Sequence, residues 1–316
     1  MRVLVTGGCG YVGSVLVPRL LDQEINVVVI DLEWFGNFLQ PHKNLTLIKK
    51  AVGEISEKDL EGVDRVIHLA NVANDPSVEL NPILSWEINV LHLVHLLEQC
   101  KKAKIKDFIY ASSGSVYGIK SEENVTEELE PNPISVYNKT KICAERVVLS
   151  FINEFRVICV RPATVCGFSP RMRFDVAVNM FVMQSFQTQK LRVLGGDQTR
   201  PNIHIQDMVR TYEHFLNNEQ IASGVYNSGF ENLSIRQIAE KVIQICGGAL
   251  EIFESNDPRS YRQDSSKLKK TGFEPKYFVE DAILDLWERL SSGALKDDSR
   301  WYTVKTMNNL GLSERV

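Results

Sequence analysis

Short segments made up almost entirely of apolar residues recur through the first half of this chain, and they are separated by segments with helical periodicity. Residues 27–30 and 157–160 are two such segments, and neither alternates apolar with polar positions. Continuous apolar runs are typical of strands that are buried on both faces, whereas half-exposed strands alternate. Strands interleaved with helices imply right-handed βαβ crossovers, so the pattern predicts an α/β fold with a doubly wound parallel sheet.

The pattern changes after about residue 166, where glycines and prolines such as Pro170 and Pro201 divide the chain into shorter segments. We therefore predict two interleaved units. Residues 1–166 would form the main domain, and residues 167–316 would form a smaller substrate-binding lobe whose elements return in part to the main sheet. A last amphipathic helix at 279–290 is expected to precede a polar tail.

Composition excludes several classes of function. The 316 residues include 36 Lys and Arg against 40 Asp and Glu, so the net charge of -4 does not attract nucleic acid or an anionic membrane. No apolar stretch approaches the ~18 residues of a membrane span, and the N-terminus enters a strand without a signal-peptide pattern. The six cysteines form no CxxC pair, which indicates free thiols in a reducing compartment. We expect a cytoplasmic protein without a metal centre.

A glycine-rich turn directly follows the first strand and opens the first helix. Its glycines, Gly7, Gly10 and Gly13, have the spacing GxxGxxG. This spacing suits a tight turn that lets the backbone approach a pyrophosphate, whose charge then lies against the N-terminus of the helix. The turn predicts a Rossmann-type dinucleotide site, to which Tyr11 and Val12 also contribute.

Asp31 ends the second predicted strand, 18 residues after Gly13. A carboxylate at this point accepts hydrogen bonds from the ribose hydroxyls of NAD and repels the 2′-phosphate of NADP. No Arg or Lys is present at residues 32–36 to bind that phosphate. The predicted cofactor is therefore NAD.

Tyr137 and Lys141 are four residues apart at the start of a predicted helix, so they share one helix face. A neighbouring ammonium group should favour the phenolate of Tyr137 and lower its pKa, which would make the phenol oxygen a base. Upstream, the serine-rich segment at 111–118 follows a sheet strand, at the edge where such folds bind ligands. A hydroxyl from that segment can donate to a carbinol or carbonyl oxygen beside Tyr137.

Taken together, these motifs resemble the extended short-chain dehydrogenase/reductase family, the NAD-dependent nucleotide-sugar epimerases, dehydratases and their relatives. The resemblance covers nearly the whole chain and includes the segments at 68–71 and 161–165 and the structural asparagine Asn89. It implies that Ser113 is the active-site serine, with Tyr137 the base and Lys141 its partner. It also implies cofactor contacts from Glu54, Ile55, Leu69, Ala70, Asn71, Pro162 and Val165.

In the second half, the resemblance implies three residues that bind the diphosphate of a nucleotide sugar, namely Asn179, Arg200 and Arg259. Guanidinium groups suit that role because their planar donors bind phosphate oxygens in pairs. Ser113 and Ser115 would contact the substrate near the catalytic base. The implied partners are a nucleoside-diphosphate sugar and, as is usual in the family, a second copy of the chain in a homodimer.

One departure from the family pattern bears on the reaction. The 4,6-dehydratases carry an Asp-Glu pair right after the active-site residue, whereas this chain has Gly114 and Ser115, which cannot act as general acid and base. The resemblance then favours redox chemistry at C4 of the sugar, completed as an epimerisation. Two alternatives stay open. One is a net nucleotide-sugar 4-dehydrogenase or 4-ketoreductase, which could act on an unusual sugar such as a heptose, and the other is a catalytically silent NAD-binding regulator.

Overall fold

The computed structural model describes residues 1–254 and 260–313. Its strands are β1 (Arg2–Thr6), β2 (Asn26–Asp31), β3 (Leu45–Lys49), β4 (Arg65–His68), β5 (Asp107–Ala111), β6 (Arg156–Pro162), β7 (Thr164–Cys166), β8 (Lys190–Leu194), β9 (Thr199–His204), β10 (Gly224–Ser228), β11 (Glu231–Ser234) and β12 (Ala249–Phe253). Its α-helices are α1 (Gly13–Asp22), α2 (Asp75–Leu80), α3 (Pro82–Trp86), α4 (His92–Lys102), α5 (Val136–Leu149), α6 (Ala177–Thr188), α7 (Ile205–Asn217), α8 (Ile235–Cys246), α9 (Ser266–Lys269), α10 (Val279–Ser291) and α11 (Thr303–Asn309). None of these helices is long and apolar enough to cross a membrane.

A seven-stranded sheet, with every neighbouring pair parallel, forms the centre of the molecule in the order β10-β6-β5-β4-β1-β2-β3. The strand order reverses between β1 and β4, which opens a crevice at the carboxyl ends of these two strands. The predicted α/β fold with a doubly wound parallel sheet is confirmed. β10 comes from the second half of the chain and extends the sheet beside β6. The boundary between residues 166 and 167 stays a prediction.

The continuous apolar strands have a simple cause, because helices cover both faces of the sheet. Val3 and Val5 of β1 pack on one face against residues of α1 such as Leu16. Leu4, between them, packs on the other face against residues of α4 such as Leu93. A separate apolar cluster outside the main sheet lies among α6, α8 and α10.

The helix predicted near residues 84–100 is interrupted by a π-helical turn, Glu87–Leu91, between α3 and α4. Asn89 lies in this turn and is 2% exposed. Its amide oxygen accepts a hydrogen bond from the N–H of Val72 (2.8 Å), and its amide nitrogen donates to the Val72 carbonyl (3.1 Å). Asn89 therefore fixes the loop that follows β4, which is one wall of the crevice.

The expected polar tail is instead ordered structure that returns to the crevice. A 3₁₀ turn, Ser299–Trp301, leads into α11. Trp301 packs in the cluster with α6 and α10, while Met307 of α11 packs beside Val72 and Val78. The few apolar residues of this segment lie far apart among polar ones, so the sequence pattern gave no sign of this packing.

Candidate active site

Two cavities open at the carboxyl edge of the main sheet. The larger is lined by residues that follow β1, β4, β5 and β6, and the smaller by residues that follow β1, β2 and β4. The residues that line both cavities are Gly7, Gly10, Trp34, Phe35, Leu69 and Asn71. These shared residues join the two cavities into one elongated cleft, the shape that an extended ligand requires.

Gly7, Gly10 and Gly13 each occupy a position that favours glycine, for a different reason in each case. Gly7 has a φ of +72°, and a Cβ there would lie 2.6 Å from the backbone nitrogen of Ala70. A Cβ on Gly13 would lie 2.6 Å from the Gly7 carbonyl oxygen. A Cβ on Gly10 would meet only that same oxygen within 4 Å, at 3.1 Å, and would otherwise point into open space. Gly10 thus keeps the cleft free for a ligand that approaches the backbone closely.

The backbone N–H groups of Tyr11 and Val12, at the start of α1, have no hydrogen-bond acceptor among the described residues. Free N–H groups at the positive end of a helix bind phosphate oxygens. The Tyr11 hydroxyl donates to the Gly167 carbonyl (2.5 Å), which anchors this residue to the second half of the chain. The turn therefore fits the pyrophosphate of a dinucleotide, as the sequence predicts.

Asp31 lines the smaller cavity and is held rigidly there. One of its carboxylate oxygens accepts from the N–H of Cys9 (3.0 Å), and the other accepts from the N–H of Glu33 (2.7 Å). Burial raises the pKa of this carboxyl, although both hydrogen bonds act in the opposite direction. A fixed acceptor at the end of β2 fits the adenosine ribose of NAD.

Asp31→Ala should weaken NAD binding by roughly 10–100-fold, since it removes hydrogen bonds between the ribose and a charged acceptor. The preference for NAD over NADP should narrow because the repulsion of a 2′-phosphate is lost as well. Calorimetry with both dinucleotides measures the two effects. Asp22→Ala, at the exposed end of α1, is the matched control. Wild-type protein that prefers NADP would contradict the assignment.

The cofactor contacts that the resemblance implies fall into two groups. Those that line the cleft are Leu69, Ala70, Asn71, Pro162 and Val165. Glu54 and Ile55 do not line it: the exposed Glu54 carboxylate accepts from the N–H of Ala51 (3.0 Å), and Ile55 is buried in the core beside α4. Lys50 and Val52 line the cavity instead. A 3₁₀ turn begins at Val52, after β3 has ended at Lys49, and turns the later residues away from the cleft.

Ser113, Tyr137 and Lys141 meet in the larger cavity. Ser135 caps α5 by accepting from the N–H of Asn138 (3.1 Å), so the helix begins just before Tyr137. The hydroxyl of Ser113 lies close enough to the Tyr137 phenol to lower its pKa. The Nζ of Lys141 lies 5.9 Å from the centre of the Tyr137 ring and donates to the Ala111 carbonyl at the end of β5 (2.7 Å). The structure therefore brings the three predicted catalytic residues together.

The expected low pKa of Tyr137 is not found in this structure. Burial raises the pKa of the phenol to about 12, against the opposing effects of the Ser113 hydroxyl, the Arg173 charge and the Asn74 N–H. Burial also lowers the pKa of Lys141 to about 7. Both side chains are enclosed, and enclosure disfavours the charged form of each. The protein groups around Tyr137 therefore do not by themselves supply the low pKa that a base requires.

The two residues after Ser113 cannot supply acid or base chemistry. A Cβ on Gly114 would lie 3.0 Å from the Pro162 carbonyl oxygen, a tight contact, and glycine itself carries no group that could transfer a proton. The Ser115 hydroxyl lies 2.7 Å from that of Ser113 and accepts from the side-chain amide of Asn138 (2.9 Å). Ser115 therefore orients Ser113.

Two neighbouring residues that the sequence analysis missed act on the phenol of Tyr137. Asn74 has a φ of +72° and caps α2 by accepting from the N–H of Ser77 (3.0 Å). The backbone N–H of Asn74 lowers the pKa of Tyr137, while the charge of Asp75 raises it. The Asp75 carboxylate accepts from the Ser135 hydroxyl. In the sequence, Asn74 is followed by Asp-Pro, a pattern that is typical of the start of a helix. This pattern predicts the helix but not the position of Asn74 and Asp75 beside Tyr137.

The predicted substrate residues have different positions. Arg200 lines the larger cavity. Asn179 is fully buried and does not reach the cleft surface: its amide oxygen accepts from the Gly167 N–H (2.9 Å), and its amide nitrogen donates to the Tyr11 hydroxyl and to the Arg173 carbonyl (both 2.9 Å). Because all its hydrogen bonds are internal, Asn179 supports the cleft from behind. Arg259 lies outside the described residues.

A buried ion pair lies beneath the site. Glu145 of α5 binds Arg161 of β6 through both carboxylate oxygens (2.6 and 3.0 Å), and their side chains are 2% and 4% exposed. Glu145 also accepts from the hydroxyl of Ser112 (2.6 Å), the residue before Ser113. Arg161 donates to the Tyr117 hydroxyl (2.7 Å). The pair thus holds the segment after β5 against α5.

His68, at the end of β4, is 2% exposed and pairs with the Thr6 hydroxyl (2.7 Å). Burial lowers the pKa of its imidazole to about 3, below the ~6.5 of an unfolded chain. Between these two pKa values the unfolded chain binds a proton that the folded protein does not. Stability should therefore fall with falling pH by about 1.4 kcal/mol per unit from this group. The free energy of unfolding can be measured in urea at several pH values. Plotted against pH, it should rise less steeply for His68→Gln than for wild type, by the contribution of one proton. An unchanged slope would contradict the assignment.

Further cleft residues come from segments to which the sequence analysis gave no specific role, namely Arg171, Arg173, Thr303 and Met307. Arg173 binds both oxygens of Asp175 (2.8 and 3.2 Å), and the backbone N–H of Thr303 donates to the same carboxylate (3.3 Å). The Arg173 charge contributes to holding the pKa of Asp175 at about 2. These contacts hold the C-terminal segment that contains Thr303 against the part of the cleft that Arg173 lines.

Comparison with known proteins agrees with this geometry. A family model, the NAD dependent epimerase/dehydratase family, matches residues 3–229. A UDP-glucose epimerase of Bacillus subtilis (strain 168), described as uncharacterized, is 30% identical over 92% of this chain and 98% of its own length. UDP-glucuronic acid decarboxylase 1 of Xenopus tropicalis is 29% identical over 89% of this chain and 70% of its own. The solved UDP-glucuronic acid 4-epimerase of Bacillus cereus, in complex with UDP-glucuronic acid and NAD, has a TM-score of 0.81 and 28% identity, with 92% and 99% of the two chains covered.

The match to the family model runs from β1 to the end of the main sheet and includes the glycine turn, Ser113 and the Tyr137/Lys141 pair. The same residues form the cleft that fits NAD. The chain therefore belongs to the NAD-dependent epimerase/dehydratase family and is an NAD-dependent enzyme of the extended short-chain dehydrogenase/reductase type.

Proposed function

We propose that this enzyme inverts the configuration at C4 of a nucleoside-diphosphate sugar. The observation that carries the proposal is the set of Ser113, Tyr137 and Lys141 in the cleft, followed by two positions that hold no carboxylate. These residues suffice to move one proton at one sugar oxygen. An elimination would in addition need an acid and a base beside Ser113, where Gly114 is closely packed and Ser115 is a hydroxyl.

When bound, NAD supplies a hydride acceptor and donor. The phenol oxygen of Tyr137 exchanges a proton with the C4 oxygen of the sugar, and the Ser113 hydroxyl donates a hydrogen bond to that same oxygen. In its deprotonated form Tyr137 acts as base when C4 is oxidised, and the phenol so formed acts as acid when C4 is reduced, so one residue serves both halves of the reaction. The C4 ketone must present its other face before reduction, and the hydroxyl that forms then has the inverted configuration.

A UDP-sugar is the proposed substrate because the named activities of the relatives are on UDP-sugars and the Bacillus cereus structure holds UDP-glucuronic acid. Arg200 lines the same cavity as Tyr137 and is the proposed diphosphate ligand. A guanidinium at this place suits the bidentate recognition of phosphate oxygens.

The proposal is tested by incubating the purified enzyme, without added cofactor, with UDP-glucose or UDP-glucuronic acid and following the sugar signals by NMR. We expect the C4 epimer to accumulate to equilibrium with no net formation of NADH. A pentose product with release of carbon dioxide would identify a decarboxylase instead. A stable keto sugar formed together with one equivalent of NADH would identify a net dehydrogenase, and either result would contradict the proposal.

A further inference from the structure

Arg171 is a buried cation in the larger cavity for which the structure shows no carboxylate partner. The residue is 3% exposed, and among the described residues no carboxylate oxygen lies within 4.0 Å of its guanidinium nitrogens. Its acceptors are the carbonyl of Met172 and the hydroxyl of Thr303, both at 3.4 Å, and its Nε has no acceptor in the part of the chain that the structure describes. Burial of a charge with such weak bonds is costly unless an anion joins it.

The nearby Arg173, in contrast to Arg171, has a carboxylate partner in this site. It binds Asp175 through two nitrogens, and that carboxylate holds the pKa of Arg173 above its usual range despite burial. For Arg171, burial and the charge of Arg173 lower the pKa to about 9. The two arginines line one cavity, yet Asp175 forms its ion pair with Arg173. Arg171 is thus left available for a ligand.

The position of Arg171 identifies which anion it would meet. Its guanidinium lies 3.9 Å from the centre of the Phe35 ring, and Phe35 lines both cavities. Arg171 lines the larger cavity together with Tyr11 and Val12, whose N–H groups are free. The charge of Asp31, in the smaller cavity, is close enough to act on the pKa of Arg171. Arg171 therefore lies in the part of the cleft that connects Asp31 with Tyr137.

We propose that Arg171 binds the pyrophosphate of NAD, together with the N–H groups of Tyr11 and Val12, and retains the cofactor between catalytic cycles. A dinucleotide with its ribose at Asp31 and its reactive ring at Tyr137 places its diphosphate between them. The inference deepens the proposed function, on which its catalytic meaning rests, because an epimerase that regenerates its cofactor in every cycle has no need to release it.

The test measures the exchange of bound NAD for isotope-labelled NAD by mass spectrometry, in protein that carries its own cofactor. Arg171→Met should exchange roughly 10–100-fold faster than wild type, because a charge-assisted contact to the pyrophosphate is lost. Arg171→Lys keeps the positive charge but loses the paired donors of the guanidinium. Its rate of NAD exchange should therefore lie between the rates of wild type and Arg171→Met. The control is Arg192→Met, a side chain that is 75% exposed on β8.

Two further measurements separate this role from others. If Arg171 were only structural, nucleotide-free Arg171→Met would unfold at a lower temperature than wild type, whereas we expect an equal or higher one. If Arg171 bound the substrate diphosphate, Arg171→Met would lose affinity for UDP in calorimetry while NAD exchange stayed unchanged. Either result would overturn the inference, as would an unchanged exchange rate by itself. None of these measurements requires turnover, so they are independent of the proposed epimerisation.

Discussion

Tyr137→Phe should lower turnover by at least about 10²–10⁴-fold, since it deletes the oxygen that exchanges a proton with the sugar while it keeps the ring. The affinity for the UDP-sugar should change little, because the substrate contacts of the cleft remain. Steady-state kinetics on the substrate identified by NMR, combined with calorimetry of the sugar, measures the two quantities separately. The loss should therefore appear in kcat and not in binding.

Tyr226→Phe is the matched control for this experiment. It deletes a tyrosine hydroxyl that donates to the Ala222 carbonyl (2.8 Å), at the edge strand of the main sheet and outside the cleft lining. Its turnover should equal that of wild type. Near wild-type turnover in Tyr137→Phe would show that another group moves the proton, and Asp75 would then be the first residue to examine.

Glu145→Gln should be the most destabilising single substitution beneath the site. It removes the charge that compensates Arg161 in the interior, and breaking a buried pair in this way costs about 3–5 kcal/mol. Urea unfolding of wild type and variant measures the loss. The adjacent Arg146 offers a control on the same helix, because its ion pair with Glu130 is 68% and 80% exposed. Arg146→Gln should cost no more than about 1 kcal/mol. Equal losses in the two variants would contradict the view that the buried pair stabilises the site.

The residues whose position at the edge of the sheet could be predicted from the sequence are those whose signal is local. The glycine turn, Asp31 at the end of β2 and the spacing of Tyr137 and Lys141 each lie within one βα unit, so the chain pattern alone places them at the sheet edge. Glu54 and Ile55 were implied by the resemblance alone, and in the structure the 3₁₀ turn after β3 places both outside the cleft lining.

The residues that the sequence analysis missed come from distant segments brought to the cleft by tertiary packing. Arg171 and Thr303 are 132 positions apart in the chain, yet their side chains lie within 3.4 Å of each other. No local pattern distinguishes either of them from a surface residue. The pKa of Tyr137 is a similar case, because it depends on how completely the folded protein encloses the phenol, which spacing to Lys141 does not encode.

The central claim, transient oxidation at C4 followed by return of the same hydride, is tested most directly with UDP-glucose deuterated at C4. The enzyme and the labelled sugar are incubated without added cofactor, and configuration and label are followed together by NMR. We predict a C4-inverted sugar that retains its deuterium at C4. Loss of the deuterium from C4 without an inverted product, or an inverted product with hydrogen at C4, would contradict it.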